Sequence, residues 1–329
     1  MLFSDILGQE HIKNHLTQSV ENGRIPHAQL FVGPEGSGTL PMAIAYVQYL
    51  LCGNTNGENI SSNEACNLKF NNISHPDLHF AFPVTTSDKA KSHPVSSHYL
   101  EEWRQLIKEQ PYGNLFDWYK LLGVDNKQGQ IGVDEAQDIV KALSLKAYEG
   151  GYKVMLIWMA DKMNTACANK LLKLIEEPPD KTVFILITED EESVIGTIRS
   201  RAQLIKFPFV DKVSIKNALL EIEEINHELV PDAVHLANGN YIKALEYINP
   251  GDDEQFYFQK FQEMMRQAYK REVLEQIQWA DEMAKIGRDK QKAYFAFALR
   301  LIREYFVMNM KRSSMVYLNR QEKEWGKQF

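Results

Sequence analysis

The segment Phe31-Val32-Gly33-Pro34-Glu35-Gly36-Ser37-Gly38-Thr39-Leu40 sets glycines between an apolar run and a stretch of helical periodicity. That context suits phosphate chemistry, because backbone N–H groups at a helix N-terminus can cradle an anion. A working loop of this kind reads G-x-x-x-x-G-K-[ST]: the lysine holds the β/γ oxygens and the hydroxyl binds Mg²⁺. Gly33 and Gly38 keep the register, but Thr39 stands at the lysine position and Leu40 at the hydroxyl position. The shape of the loop is kept without its charge or its metal ligand. An ordinary Gly-rich strand-to-helix turn carries the same residues.

The second half of such a site is a strand that ends in acids, which position Mg²⁺ and water. The candidate strand is Lys153-Val154-Met155-Leu156-Ile157-Trp158-Met159-Ala160-Asp161, and Trp158 and Met159 occupy the acid positions. Asp161 falls late in register and reads as a cap for the next helix. Hydrolysis at this chain's own site is therefore not expected. Other constellations are weaker. Cys52 and Cys66 lack any C-x-x-C partner, and a structural zinc site needs four N/S ligands. His75 and His79 complete a set on paper, but one sits in a His-Pro-Asp turn and the other in an alternating strand, so no zinc site is expected. Cys167 lies on an apolar helical stripe and reads as core. The run Glu189-Asp190-Glu191-Glu192 reads as a solvated loop.

The elements that must hold these residues follow from periodicity. Gln29–Val32, Leu78–Val84, Val154–Met159, Val183–Ile187 and Leu204–Phe209 are strand-length apolar runs, several apolar at consecutive positions, as in strands covered on both faces. Leu78-His79-Phe80-Ala81-Phe82 alternates and belongs nearer an edge. Leu40, Ala43, Ile44, Val47, Leu50 and Leu51 form one helical stripe; Cys167, Leu171, Leu174 and Ile175 form another, with Asn164 as its N-cap and Pro178-Pro179 as its stop. The polar stretches Gly53–Ser74 and Thr85–Ser97 read as loops. Strands alternating with helices predict an α/β domain with a largely parallel sheet over 1–208. Beyond it the pattern is helical, broken at Asn238-Gly239-Asn240 and at Asn249-Pro250-Gly251-Asp252-Asp253. This predicts a small helical domain over 209–250 and a helical C-terminal oligomerisation domain over 251–329. Aromatic and Met positions there, including Phe256, Phe258, Phe261, Tyr294, Phe295 and Phe306, suit helix packing or a subunit collar.

Composition bounds the function. The chain has 329 residues, 44% of them hydrophobic and 25% charged, which excludes disordered and collagenous classes. A net charge of −7 argues against gripping nucleic acid through the whole surface. Three cysteines form no disulfide framework and suit a reducing, cytosolic compartment. Met1–Glu10 has no basic n-region and does not read as a signal peptide. The longest apolar stretch, Val154 to Ala160, falls far short of the ~20 residues that span a bilayer.

A series of blocks gives these features a common source. Ile6-Leu7-Gly8-Gln9-Glu10 is followed by His27-Ala28-Gln29-Leu30-Phe31, Ser74-His75-Pro76-Asp77 and Tyr152-Lys153-Val154. Next come Asp161-Lys162-Met163-Asn164 and Ala168-Asn169-Lys170-Leu171-Leu172-Lys173, the latter running into Glu176-Glu177-Pro178-Pro179. Phe184–Thr188 and Thr197-Ile198-Arg199-Ser200-Arg201-Ala202-Gln203 complete the series. In this order they resemble the delta-prime family of clamp-loader subunits of bacterial DNA polymerase III, AAA+-type P-loop proteins. The resemblance covers residues 6 to about 205 and leaves the C-terminal third without a signature.

The resemblance implies a non-hydrolysing subunit of a hetero-oligomer that loads the sliding clamp onto primed DNA, in the cytoplasm and away from membranes. Its implied partners are gamma/tau-type ATPase subunits and a delta subunit. Active paralogues keep the loop lysine and the acidic pair, so Thr39, Leu40, Trp158 and Met159 point to the inactive branch. ATP or ADP binding without turnover remains permitted by the Gly33/Gly38 cradle. The family's Ser-Arg-Cys motif reads Ser200-Arg201-Ala202 here, with the cysteine lost. Its arginine reaches ATP bound in a neighbouring subunit, which makes Arg201 the candidate finger in trans. Arg199 is a weaker candidate, and Lys243 falls where the family often has a nucleotide-sensing arginine. Relatives often carry a four-cysteine zinc module before the His-Pro-Asp block, which this chain lacks. Two rival readings are an active ATPase of the same family and a scaffold of the same fold outside replication.

Overall fold

Five apolar runs become five parallel strands in a computed structural model that describes residues 1–53, 63–124, 127–149, 151–249, 252–310 and 315–327. The strands are β1 (Ala28–Val32), β2 (Leu78–Ala81), β3 (Lys153–Ile157), β4 (Thr182–Thr188) and β5 (Gln203–Lys206), in the order β2-β3-β4-β1-β5. All pairings are parallel, with Leu30 facing Leu186 and Leu204, and Leu156 facing Ile185 and Phe80. β2 is an edge, as its alternating pattern suggests. Three strands stop earlier than their apolar runs: β2 at Ala81, β3 at Ile157 and β5 at Lys206. In β3 the chain turns at Met159, whose φ is 54°.

Because side chains alternate along a strand, the central strands feed two cores. On one face Phe31, Val154, Leu156, Val183 and Ile185 pack with α1 (Glu10–Glu21), α2 (Thr39–Cys52), α3 (Glu64–Asn71), α4 (Leu100–Glu109) and α5 (Leu115–Leu121). On the other, Leu30, Met155, Ile157, Phe184 and Leu186 pack with α6 (Val133–Ser144), α7 (Thr165–Glu176) and α8 (Gly196–Arg199). Parallel strands covered on both sides explain why the runs are continuously apolar. Asn164 caps α7 by accepting the Cys167 N–H at 2.8 Å. This is the α/β arrangement with a parallel sheet that the alternation of strands and helices predicts.

One expected loop is partly helical. Within Gly53–Ser74, residues 54–62 lie outside the described residues, but Asn63 caps α3 by accepting the Cys66 N–H. The polar composition hid a two-turn helix that buries only Cys66 and Phe70. Its consequence is a bond the cysteine count did not anticipate: Cys52 at the end of α2 and Cys66 on α3 form a disulfide, with Cα atoms 5.6 Å apart. The expectation of unpaired thiols holds only for Cys167, which is buried and free.

From Lys212 onward every regular element among the described residues is a helix: α9 (Lys212–Leu220), α10 (Val230–Ala237), α11 (Tyr241–Ile248), α12 (Asp252–Lys270), α13 (Val273–Lys285), α14 (Arg288–Asn309) and α15 (Arg320–Gly326). Two compact units result, Met1–Ser214 with Gly239–Tyr241, and Ile215–Asn238 with Ile242–Phe329. Asn238 ends α10 in the left-handed conformation, the break its Asn-Gly signal suggests. Of the Asn249–Asp253 punctuation, Pro250 and Gly251 lie outside the described residues, as does Phe329. The second unit has its own core of Tyr257, Phe258, Phe261, Tyr294, Leu301 and Trp325. A second face of α14 leaves Phe295, Leu299, Ile302 and Phe306 exposed, with Met310 exposed just beyond its end, so the aromatic positions divide between core and surface.

Candidate functional site

Gly33, Gly38 and Thr39 meet where β1 ends and α2 begins. Gly36 and Gly38 have φ of 75° and 87°, which only glycine adopts without strain. Space is as short as torsion freedom. A Cβ on Gly36 would fall 2.1 Å from Asn240 Oδ1, and one on Gly38 would fall 2.9 Å from Tyr112 Cε1. The loop is thus packed against its own chain. Its remaining cavity, bounded by Pro34–Pro41, Pro111–Asn114, Trp158 and Glu189, is about 20 Å³, room for a water or so. Larger clefts of about 650 and 480 Å³ lie in the same unit but away from the loop.

The side chains at the positions of the expected magnesium ligand and acids are held in packing. Leu40 is 3% exposed and belongs to the core beneath α2. Trp158 is buried against Trp103, with ring centroids 5.2 Å apart, and Met159 is buried beside it. Asp161 corrects the sequence expectation: it does not cap α7, which Asn164 does. Its carboxylate instead accepts the Thr188 hydroxyl at 3.0 Å and pairs with Lys162. Glu189 follows at the end of β4, and burial together with Glu35 and Asp161 pushes its carboxyl up to about 7. Glu35 and Glu189 thus bring carboxyl groups to the mouth of the loop, the Glu189 proton being retained toward neutral pH.

Arg201 lies elsewhere. It follows α8 and immediately precedes β5, so it stands at the start of a strand whose parallel neighbour β1 ends in the phosphate loop. The two features therefore occupy opposite ends of the sheet. The guanidinium is exposed, paired with Glu176, and donates from Nη1 to the Thr197 carbonyl at 2.8 Å. Arg199 pairs with Glu192 at 2.6 Å and donates to the Glu191 carbonyl. Lys243 is exposed on α11.

The metal question turns on His75. Asp77 accepts the backbone N–H groups of Tyr148 and Glu149 at 2.6 and 3.1 Å, and its own N–H faces His75 Nδ1. Burial lowers the His75 pKa, and Nε2 points to Glu149 at 3.3 Å. Cys66, His75 and Glu149 bring ligand atoms within 4.8 Å of one another. A zinc module does not fit these residues, because Cys66 is bonded to Cys52 and neither sulfur is a thiolate. His79, on β2, is not in that cluster.

Residues missed by sequence reasoning are Tyr112, Asn240 and Glu189. Pro111-Tyr112-Gly113-Asn114 carries a turn signal, but nothing local shows that the ring lands on Gly38.

Comparison with known proteins bears on the family of the chain. The family described as DNA polymerase III, delta subunit, matches residues 8–211. The delta' subunit of Bacillus subtilis DNA polymerase III is 26% identical over 238 residues, 72% of this chain and 58% of that protein. The gamma/tau subunit of Mycobacterium tuberculosis is 27% identical over 233 residues, 71% of this chain and 33% of that protein. A DNA polymerase III gamma-subunit-related structure from Thermotoga maritima aligns over 96% of this chain and 88% of its own, with TM-score 0.38 and 14% identity. The chain thus spans about a third of the gamma/tau relative it matches.

Proposed function

The chain belongs to the DNA polymerase III delta-subunit family, as a clamp-loader subunit of delta-prime type, and from that membership we propose a non-hydrolysing member that serves a neighbour's ATP. It would act within a cytoplasmic hetero-oligomer of gamma/tau-type ATPase subunits and a delta subunit, which opens the sliding clamp and closes it on primed DNA. DNA contact is shared across the assembly, which suits a net charge of −7.

The observation that carries this reading is the separation of Arg201 from the loop. In a parallel sheet the end of β1 and the start of β5 lie on opposite sides, so Arg201 cannot serve the phosphate loop of its own chain. Its exposed ion pair with Glu176 holds it at little cost, since such pairs contribute ~0–1 kcal/mol. An arginine supplied in trans stabilises charge on the transferring phosphoryl group and accelerates hydrolysis by ~10³–10⁵. The chain's own loop contributes neither lysine nor magnesium ligand.

The exposed apolar stripe of α14 supports an assembly role for the second unit. Four large side chains on one face exceed what scattered surface residues need, and such patches mark interaction sites. No helix among the described residues is long and apolar enough to cross a membrane, so the stripe is read as a protein contact.

The test is reconstitution with gamma/tau-type and delta subunits, followed by DNA-stimulated ATPase with and without Arg201→Ala. A large loss in a verified complex is expected. An unchanged rate sinks the trans-finger reading, and turnover by the isolated chain sinks the non-hydrolysing one.

A further inference from the structure

We propose that Tyr112 is a built-in occupant of the phosphate-loop crevice, closing it to nucleotide altogether. This rests on the reading of the chain's own site as non-hydrolysing and deepens it, since loss of the lysine alone leaves nucleotide binding without turnover open.

Four observations place the ring there. Tyr112 lies against the loop, so that a Cβ on Gly38 would approach its Cε1, Oη and Cζ within 2.9–3.5 Å. The phenol oxygen accepts the Leu7 N–H at 2.9 Å, tying the ring to the segment that precedes α1. The other side of the ring meets Tyr241 edge-on, with centroids 5.0 Å apart. Burial pushes the phenol up to about 12, so it stays protonated and uncharged through the physiological range. The anchoring backbone is short and fixed: Gly113 N–H donates to the Gln110 carbonyl at 2.7 Å, and Asn114 caps α5 in a reciprocal box with Asp117. The segment is therefore a wedge between α4 and α5.

The rest of the crevice is filled in the same way. Ser37 is fully buried and its hydroxyl turns into the hollow of the loop, 2.5 Å from where a Cβ on Gly33 would sit. Asn240 covers Gly36. Glu35 and Glu189 line the mouth with carboxyl groups, and Asp161, which acts on Glu189, is itself paired with Lys162. A nucleotide would have to displace an aromatic ring, break the Leu7 contact and bring its phosphates beside two acidic side chains. The glycines of the loop persist because their space is taken by the protein, whatever their ancestry in phosphate binding.

The experiment titrates the full chain with Mg-ADP and, separately, with inorganic phosphate, reading thermal unfolding and equilibrium binding of a fluorescent ADP. Wild type should show no saturable response to either. Tyr112→Ala, which opens the crevice above the loop amides, should gain ADP-dependent stabilisation with affinity at least roughly tenfold above wild type. If Tyr112→Ala does not fold, Tyr112→Val is read the same way, because it removes the ring and its hydroxyl anchor and leaves only a small apolar side chain. Saturable, ADP-competed binding by wild type overturns the proposal and spares the non-hydrolysing reading; ATP turnover by wild type overturns both. A folded Tyr112 variant that responds no more than wild type also overturns it, since something other than the ring would then exclude nucleotide.

Discussion

The two ends of the sheet have had opposite histories. At the end where β1 runs into α2, the groups that would meet a nucleotide are buried in packing: Tyr112 on Gly38, Asn240 on Gly36, Trp158 against Trp103. At the other end, Arg201 stands exposed in an ion pair with Glu176. One end has become core, where a side chain is held by dispersion and shape. The other has stayed surface, where a charged group is held weakly and can be given to a partner. The contrast sets a packed loop against an exposed guanidinium, and the proposed role in trans depends on that difference.

The largest expected effect belongs to the open end. Arg201→Ala should lower the ATPase rate of the reconstituted assembly by ~10³–10⁵, equivalent to about 4–7 kcal/mol, while leaving the unfolding midpoint of the isolated chain almost unchanged. The converse holds at the closed end. Trp158→Ala should cost ~3–5 kcal/mol in chemical denaturation, because it opens a large cavity beside Trp103. If Trp158→Ala instead leaves stability intact, the closed end is not core and the contrast fails.

The Cys52–Cys66 bond ties the far end of α2 to α3. Cys66→Ser, or reductant applied to wild type, should lower stability by ~3 kcal/mol for a loop of 14 residues, with no added loss when the two are combined. Wild type that loses no stability on reduction would mean the bond does not form. A cross-link of this kind responds to the redox poise of its surroundings.

Smaller again is the titration of Glu189. Its folded value, raised to about 7 from 4.5, means the unfolded chain ionises first. Stability should therefore fall as pH rises through that window, and Glu189→Gln should remove the fall. Glu35→Gln should move the Glu189 titration downward, read by carbon NMR; no movement would remove Glu35 from the acidic mouth. Smallest is Glu176→Ala, which should change stability by under ~1 kcal/mol and leave the partner's ATPase intact or faster. A loss as large as that of Arg201→Ala would make the ion pair, and not the free guanidinium, the functional unit.

Much of the α/β unit was legible because its signals are local. All five strands overlap apolar runs, and the central β3 and β4, covered on both faces, are buried along their whole length. The α7 helix announces its cap at Asn164 and its stop at Pro178. What escaped was either weakly patterned or distant in the chain. α3 buries too few residues to carry a stripe. Asp161 looked like a cap because its partner, Thr188, lies on another strand. Trp158 read simply as a lost acid, and only packing shows it to be a core residue.

The sequence by itself determined which chemistry is absent. A threonine has no ammonium and a leucine no metal-binding oxygen, and residue type alone is enough to say so. It also determined the strands, the break at Asn238-Gly239 and the arginine that could act elsewhere. Only the tertiary structure decided what took the place of the lost chemistry. Tyr112 reaches Gly38 and Leu7, and Cys52 reaches Cys66, because the sheet and its helices bring together positions that no periodicity relates. The same parallel order put Arg201 at the end opposite the loop. Contacts of this kind depend on how elements pack, and packing is settled only when the whole unit folds.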